Sequence, residues 1–134
     1  MQFINQLKLQ LDQPLPGKHA QSIMMIKPKP IFRNNTDIKT AKLSAVLILL
    51  FFENNNWNFF LTKRSQNVNH HKGQISLPGG VLEENESLQE TAIRETEEEI
   101  GIPSQDIQLI GHLSPFYVPV SNFKISPFVG WMEK

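Results

Sequence analysis

Residues 79–102 read GGVLEENESLQETAIRETEEEIGI, a glycine pair followed by an acidic segment with helical spacing. In a helix, Glu95, Glu98 and Glu99 fall at positions i, i+3 and i+4, so their carboxylates share one face. Each like-charge pair at this spacing costs roughly 0.2–0.5 kcal/mol, so the cluster does not stabilise the helix by itself. It is suited to binding a divalent cation. Because the ligands are all oxygens, the predicted ion is Mg²⁺ or Mn²⁺.

Both ends of this helix are marked in the sequence. Ser87, with Glu90 three residues later, predicts a capping box at the start. Gly101 is suited to the left-handed residue that ends a helix, and Pro103 follows it. The stripe expected to pack on a sheet has a spacing of four and consists of Leu88, Ala92, Thr96 and Ile100. Most of the glutamates lie off this stripe, which leaves an acidic face for metal.

This segment resembles the Nudix box, which has the pattern glycine, five residues, Glu, seven residues, Arg-Glu, an aliphatic, any residue, Glu-Glu, any residue, glycine and an aliphatic. The matching residues are Gly80, Glu86, Arg94, Glu95, Glu98, Glu99, Gly101 and Ile102. Thr96 is the one departure, because the family usually has an aliphatic residue there. An acidic run alone is most often a solvated helix face. The full spacing strongly favours a metal site.

The resemblance implies metal-dependent hydrolysis of a diphosphate linkage, with Glu95, Glu98 and Glu99 as metal ligands. A backbone carbonyl at Gly79 would complete the coordination sphere. Glu98 is expected to double as general base, although other family members take the base from a loop outside the box. Arg94 is expected to orient a glutamate through a bidentate contact.

The resemblance leaves open which of two roles Glu86 has. It either fixes the geometry between the loop and the helix or coordinates the metal at the margin.

A second resemblance lies upstream of the box. The residues Leu61-Thr62-Lys63-Arg64-Ser65, His71, Gly73-Gln74 and Pro78-Gly79-Gly80 resemble the signature of coenzyme A pyrophosphatases. The implied reaction cleaves coenzyme A or an acyl derivative to 3′,5′-ADP and (acyl-)4′-phosphopantetheine. The implied substrate-binding residues are Arg64, Lys72, Gly79 and Gly80.

The upstream signature has two departures. Asn69 stands where the family has an arginine, and Leu77 where it usually has phenylalanine. Loss of a fixed cation would weaken a phosphate contact by about 1.5–3 kcal/mol, and Arg64 or Lys72 is the expected substitute.

Two other functions stay open. One is hydrolysis of a different nucleoside diphosphate derivative, such as a nucleotide sugar, a dinucleotide or a damaged nucleoside triphosphate. The other is a non-catalytic Nudix module that binds a nucleotide or a partner. Intact Glu95, Glu98 and Glu99 argue against such a module.

The implied fold is an α/β/α sandwich around a mixed sheet, in the α/β class. We expect an N-terminal helix and irregular arm over residues 1–40 and a Nudix domain over 41–134, forming one structural domain. Nudix domains generally continue with a further strand and a helix that covers the sheet. The sequence stops at Lys134, so either it is truncated at the C-terminus or the fold forms without those elements.

Periodicity and turn residues predict the remaining elements. We expect a helix within 3–13, an arm over 18–40 with a short strand near 31–33, and either helix or loop at 15–21. The predicted strands are 42–52 in the centre of the sheet, 57–63 as its hairpin partner, 73–77, 105–113 and 123–131. A close turn is expected at Pro78-Gly79-Gly80 and a proline-containing loop at 114–120.

The composition limits the class of protein. The 134 residues are enough for one domain, and the formal net charge is zero. Eight of the thirteen acids lie close together: Glu83, Glu84, Glu86, Glu90, Glu95, Glu97, Glu98 and Glu99. The rest of the chain is therefore net basic, which suits a small polyanionic substrate better than a nucleic acid.

No cysteine is present, which fits a reducing, cytoplasmic location. The apolar run at 43–52 is too short to cross a membrane, so no membrane association is expected. Of the histidines, His70 and His71 are more often solvated than ligands in such a polar loop, and His19 and His112 are expected to be structural. The oligomeric state does not follow from the sequence.

Overall fold

A computed structural model describes residues 1–24, 40–63 and 73–133. The helices are α1 (Gln2–Leu11), α2 (Gly17–Met24) and α3 (Leu88–Ile100), and Ser104–Asp106 forms a short 3₁₀ turn. The strands are β1 (Lys42–Glu53), β2 (Asn56–Phe59), β3 (Thr62–Lys63), β4 (Ile75–Ser76), β5 (Gly79–Val81), β6 (Gln108–His112), β7 (Phe116–Val118) and β8 (Phe123–Trp131). The predicted strand near 31–33 lies outside the described residues.

β1 is the central strand of a mixed sheet. It runs parallel to β8, from Lys42 opposite Phe123 to Leu50 opposite Trp131. Its other edge pairs antiparallel with β5 near its start and with β2 at its end. Strands β6 and β7 are both antiparallel to β8, and β3 and β4 form a separate ribbon. The predictions of a central strand at 42–52 and of a mixed sheet are therefore confirmed.

Side chains of β1 alternate between two apolar layers, as expected for a strand with both faces covered. Ala45, Leu47 and Leu49 are fully buried in a core that includes residues of α3. Ile48 and Leu50 face the opposite way and pack with residues of α1. Helices therefore cover both faces of the sheet, which confirms the α/β/α arrangement.

α1 packs closely onto β6 because Gly111 has no side chain. A Cβ at Gly111 would lie 2.7 Å from the Cβ of Leu11 and 2.9 Å from its Cδ1. Ile4 of the same helix is buried in the second apolar core. The helix predicted within 3–13 is confirmed. It covers the face of the sheet that lies opposite α3.

α3 begins and ends as predicted. The Ser87 Oγ accepts a hydrogen bond from the Glu90 N–H at 3.3 Å, and the Glu90 carboxylate accepts one from the Ser87 N–H at 2.7 Å. These bonds to Ser87 lower the pKa of Glu90. Gly101 has a φ of 73°, and its N–H donates to the Glu97 carbonyl at 2.9 Å. The capping box and the left-handed terminator are thus confirmed.

The predicted packing stripe of α3 is also confirmed. Ala92 and Thr96 are fully buried, and Leu88 and Ile100 pack half-buried against the same core. The Thr96 hydroxyl donates to the Ala92 carbonyl at 2.7 Å. This bond satisfies the polar group that stands where an aliphatic residue is usual, so the packing of the helix tolerates the departure.

The N-terminal arm contains more regular structure than predicted. Residues 17–24 form α2, so the expectation of an irregular arm from Lys18 is wrong for 18–24, and the choice left open at 15–21 falls to a helix from Gly17. The side-chain amide of Gln21 donates to the Ser114 carbonyl at 3.0 Å. This contact joins segments distant in sequence, so no local pattern could reveal it.

Two further predictions need correction. The strand predicted at 57–63 is two strands, because β2 ends at Phe59 and β3 leaves to pair with β4. The loop predicted at 114–120 contains β7, which pairs with the first residues of β8. The strands predicted within 73–77 and 105–113 and at 123–131 are confirmed as β4, β6 and β8.

Within the part of the chain that the structure describes, no helix has the length and apolar character needed to cross a membrane.

We predict that Gly101→Ala destabilises the protein by about 1 kcal/mol, because alanine is disfavoured in the left-handed conformation that this residue adopts. Among the described residues, and apart from the adjoining backbone, no atom lies within 4 Å of the position of the added Cβ, so a steric clash would not contribute. Gly101→Asn is the matched control, since asparagine tolerates this conformation better. Urea unfolding should rank the wild type first, then the asparagine variant, then the alanine variant. Equal midpoints for all three would contradict this account of the helix end.

Candidate active site

Arg94 on α3 joins the acidic side chains into one cluster. Its Nε donates to Glu86 Oε2 at 3.1 Å and its Nη2 to Glu86 Oε1 at 2.9 Å, which is a bidentate contact. Its Nη1 donates to Glu95 Oε1 at 2.9 Å. Nη2 also donates to the Val81 carbonyl at 3.3 Å. One guanidinium therefore connects the helix, the loop that precedes it and β5.

Glu86 is held by more than the arginine. Its Oε1 also accepts from the Glu83 N–H at 2.8 Å and from the Thr91 hydroxyl at 2.8 Å. These bonds lower the pKa of Glu86 from 4.5 to about 2, with the Arg94 contact as the largest cause and the Glu83 N–H as the next. The same contact raises the pKa of Arg94. Glu86 thus fixes the loop against the helix, one of the two roles left open for it.

Glu95 and Glu98 both face Arg94 but differ in how firmly they are held. The Glu95 side chain is 18% exposed and lies 2.9 Å from Nη1. The Glu98 side chain is 60% exposed, and its two oxygens lie 3.4 and 3.5 Å from the same nitrogen. Glu95 is therefore fixed at the base of the cluster, whereas Glu98 can reorient with little loss.

The glycine pair lies in β5 and forms no turn, so the predicted turn at 78–80 is wrong. Gly79 and Gly80 pair with Val46 and Ala45 of β1. A Cβ at Gly79 would overlap the backbone of β1, and one at Gly80 would overlap the carboxylate of Glu95. Glycine is needed at 79 for the close approach of β5 to β1 and at 80 for the close approach of β5 to Glu95 of α3, and not for the predicted turn.

Glu99 lines a cleft of about 320 Å³ next to the cluster. The other lining residues are Thr62, Lys63 and Ser76, which lie on the β3–β4 ribbon. The hydroxyl of Thr62 lies 3.2 Å from the hydroxyl of Ser76, and it donates to the Ser76 carbonyl at 3.3 Å. Lys63 and two hydroxyl-bearing residues thus line one cleft with Glu99 of α3, and residues of these types are suited to binding phosphate oxygens.

The three predicted metal ligands do not form a preformed metal site. Across residues 1–24, 40–63 and 73–133, no three acidic, histidine or cysteine side chains are grouped so that they could hold a metal ion. Glu95 and Glu98 converge on one guanidinium nitrogen, while Glu99 lines the neighbouring cleft. The carboxylate oxygens are the type of donor that a hard cation such as Mg²⁺ or Mn²⁺ prefers, although those of Glu95 and Glu98 here accept from Arg94. Their role in metal binding stays a prediction.

Several predicted residues cannot be placed. Arg64, Asn69, His70, His71 and Lys72 lie outside the described residues. His112 is exposed and contacts the edge of the Phe128 ring, with 6.5 Å between ring centroids. The carbonyl of His19 accepts from the Ser22 hydroxyl in α2.

No role was predicted from the sequence for Thr91 or Ser76, and Thr62 was named only as part of the upstream segment 61–65. The position of Thr91 could have indicated such a role, because a threonine in the first turns of a helix can bond to the loop before it. Thr62 and Ser76 meet through the register of β3 with β4, which the sequence does not reveal.

Comparison with known proteins gives one family. Residues 41–129 match the NUDIX domain. The chain is 36% identical over 116 residues to "Nudix hydrolase 3" of Caenorhabditis elegans, covering 87% of this chain and 47% of that protein. It is 33% identical over 129 residues to the "Uncharacterized Nudix hydrolase NudL" of Photorhabdus laumondii, covering 96% of this chain and 58% of that protein. The chain thus spans about half the length of these curated relatives.

A solved structure gives the same fold. The crystal structure of C. elegans Ap4A hydrolase superimposes with a TM-score of 0.60 at 16% identity, covering 71% of this chain and 70% of that one. At this identity the likeness concerns the fold alone.

We predict that Glu86 stabilises the protein in a pH-dependent way. Its folded pKa of about 2 lies below the ordinary 4.5, so its contribution is complete above about pH 4.5 and is lost as the pH falls towards 2. Glu86→Gln should therefore lower the urea midpoint at pH 7, and the difference from the wild type should shrink steadily below pH 4.5. A difference that stays constant from pH 7 to pH 3 would show that the charge of Glu86 contributes nothing.

Proposed function

This chain belongs to the NUDIX domain family, and on that premise we propose that it hydrolyses the diphosphate linkage of coenzyme A or acyl-coenzyme A. The products are 3′,5′-ADP and (acyl-)4′-phosphopantetheine. The observation that carries the proposal is the cluster centred on Arg94, which brings Glu86, Glu95 and Glu98 together beside a polar cleft.

Hydrolysis of a diphosphate has three requirements. The negative charge of the phosphates must be offset, a water must be placed for in-line attack, and that water must lose a proton. Nudix hydrolases generally use divalent cations. Bound Mg²⁺ or Mn²⁺ would supply the positive charge and make water a better nucleophile. Glu95, Glu98 and Glu99 are the residues that would hold the ion, with the Gly79 carbonyl as a further ligand.

The contacts of Glu98 support its assignment as general base. A base has to move between accepting a proton and releasing it to solvent. Glu98 is exposed and only weakly bonded to Arg94, whereas Glu95 is enclosed and firmly bonded to it. Arg94 and Glu95 would therefore supply fixed geometry and charge, and Glu98 would take the proton.

The upstream residues support coenzyme A as the substrate. Thr62 and Lys63 belong to the segment that resembles the coenzyme A pyrophosphatase signature, and they line the cleft next to Glu99. A cation and hydroxyls at that place suit a substrate with several phosphate groups. We further propose Arg64, Lys72 and the backbone of Gly79 and Gly80 as substrate contacts.

Other nucleoside diphosphate derivatives are the second candidate class, because the Arg94 cluster would serve any diphosphate. A nucleotide-binding module without activity is the third candidate, and turnover separates it from the two hydrolases.

We predict that the protein releases 3′,5′-ADP from coenzyme A in the presence of Mg²⁺ or Mn²⁺, as followed by chromatography. Glu98→Gln should lower the rate by roughly tenfold or more, the low end of the contribution of a general base. Glu84→Gln makes the same change of charge at an exposed loop residue and should keep the wild-type rate.

The absence of product from a folded wild-type protein with either metal would rule out coenzyme A as the substrate. A panel of nucleotide sugars, dinucleotides and nucleoside triphosphates would then test the second class. Equal losses of rate in Glu98→Gln and Glu84→Gln would instead show that Glu98 contributes only to the overall negative charge of the acidic segment, and does not act as a base.

A further inference from the structure

Thr91 is a fully buried polar residue near the start of α3, with its hydroxyl directed at the acidic cluster. Its Oγ1 lies 2.8 Å from Glu86 Oε1 and 3.1 Å from the Ser87 carbonyl. A hydroxyl has one hydrogen, so it can be fully donated to only one of these acceptors. The carboxylate is both nearer and charged, so it is the stronger acceptor. The Ser87 carbonyl already receives the Thr91 N–H at 2.9 Å.

The bond to Glu86 acts on a carboxylate that other groups also constrain. Oε1 accepts from the Glu83 N–H and from Arg94 as well as from Thr91. Three donors in different directions fix both the position and the plane of the carboxylate. A bidentate partner aligns with that plane, so the orientation of Glu86 sets the orientation of the Arg94 guanidinium.

The orientation of Arg94 in turn reaches the predicted metal ligands. Nη1 contacts Glu95 at 2.9 Å and Glu98 at 3.4 Å. Hydrogen bonds between side chains thus run from Thr91 through Glu86 and Arg94 to these two glutamates. The described hydrogen bonds of the Thr91 hydroxyl go to Glu86 and to the Ser87 carbonyl, and to neither of these glutamates.

We infer that Thr91 is a positioning residue, which sets the place of the Glu95 and Glu98 carboxylates through Glu86 and Arg94. The inference rests on the proposed function, because it concerns the cation and the reaction of that same site. Burial and β-branching suit Thr91 to this role, since branching restricts the rotamers of its hydroxyl and burial keeps competing water away.

A purely structural role is the competing explanation, and substitutions separate the two. Thr91→Val keeps the branched shape and removes the hydroxyl, whereas Thr91→Ser keeps the hydroxyl and removes the methyl group. A packing role predicts that serine is worse than valine, and a positioning role predicts the reverse. Thr91→Val leaves no acceptor orphaned, because Glu86 Oε1 keeps two donors.

Thr96 offers a matched control on the same helix. It is also fully buried, and its hydroxyl donates to the backbone carbonyl of Ala92 at 2.7 Å and to no carboxylate. Thr96→Val therefore removes a buried hydroxyl without touching the acidic cluster.

The test measures Mn²⁺ affinity by electron paramagnetic resonance and kcat and KM for coenzyme A. Loss of an outer hydrogen bond behind metal ligands typically costs 10–100-fold, and Thr91 lies two contacts further out than Arg94, so we expect a smaller change of about 3- to 10-fold. Thr91→Val should weaken Mn²⁺ binding and lower kcat by that factor with KM unchanged. Thr91→Ser and Thr96→Val should stay within about twofold of the wild type.

Three results would overturn the inference: wild-type Mn²⁺ affinity in Thr91→Val, an equal loss in Thr91→Ser, or an equal loss in Thr96→Val. A wild type that binds no Mn²⁺ would also overturn it. If the wild type binds Mn²⁺ but does not cleave coenzyme A, the proposed substrate fails while the ranking of Mn²⁺ affinities still decides the role of Thr91. Should Thr91→Val fail to fold, Thr91→Ala and Thr96→Ala take the places of the valine pair.

Discussion

The ion pair between Arg94 and Glu86 is the contact on which the site depends. Glu86 lies in the loop between β5 and α3, and Arg94 lies in the middle of the helix. Their bidentate contact, together with the bond from Arg94 to the Val81 carbonyl, holds strand, loop and helix in one arrangement. Without it, α3 would still pack on the sheet through its apolar stripe, but the loop that carries Glu86 would lose its link to the acidic face of the helix.

This arrangement explains how so acidic a helix folds. Like charges one turn apart repel one another, and the segment from 79 to 102 carries eight acids and one arginine. Arg94 lies at the centre of that charge and forms ion pairs with four of the glutamates, while Glu90 is used in the capping box. The opposite face packs on β1 through small residues such as Ala92 and Thr96. The capping box, the packed face and the ion pairs of Arg94 therefore stabilise the helix. They do so while leaving the Glu98 side chain exposed.

Three glycines are needed because two elements of the fold lie too close together at each of them for a side chain to fit. Gly79 and Gly80 let β5 lie against β1 and below Glu95, and Gly111 admits Leu11 of α1 on the other side of the sheet. A side chain at any of these positions would force two elements apart. The site is thus built on a close-packed strand and helix, which suits the fixed geometry that phosphoryl chemistry requires.

The sequence by itself determined the features that depend on neighbours along the chain. The ends of α3, its packing stripe and the strand at 42–52 follow from caps and periodicity, and the spacing of Glu86 and Arg94 identified the family. Tertiary structure decided the features that depend on distant partners. The pairing of β3 with β4, the strand conformation of Gly79 and Gly80, and α2 bonded to Ser114 have no local signal. The reason is physical: caps and hydrophobic periodicity act within about one or two turns, whereas strand register and close approach are set by whichever segment folding brings alongside.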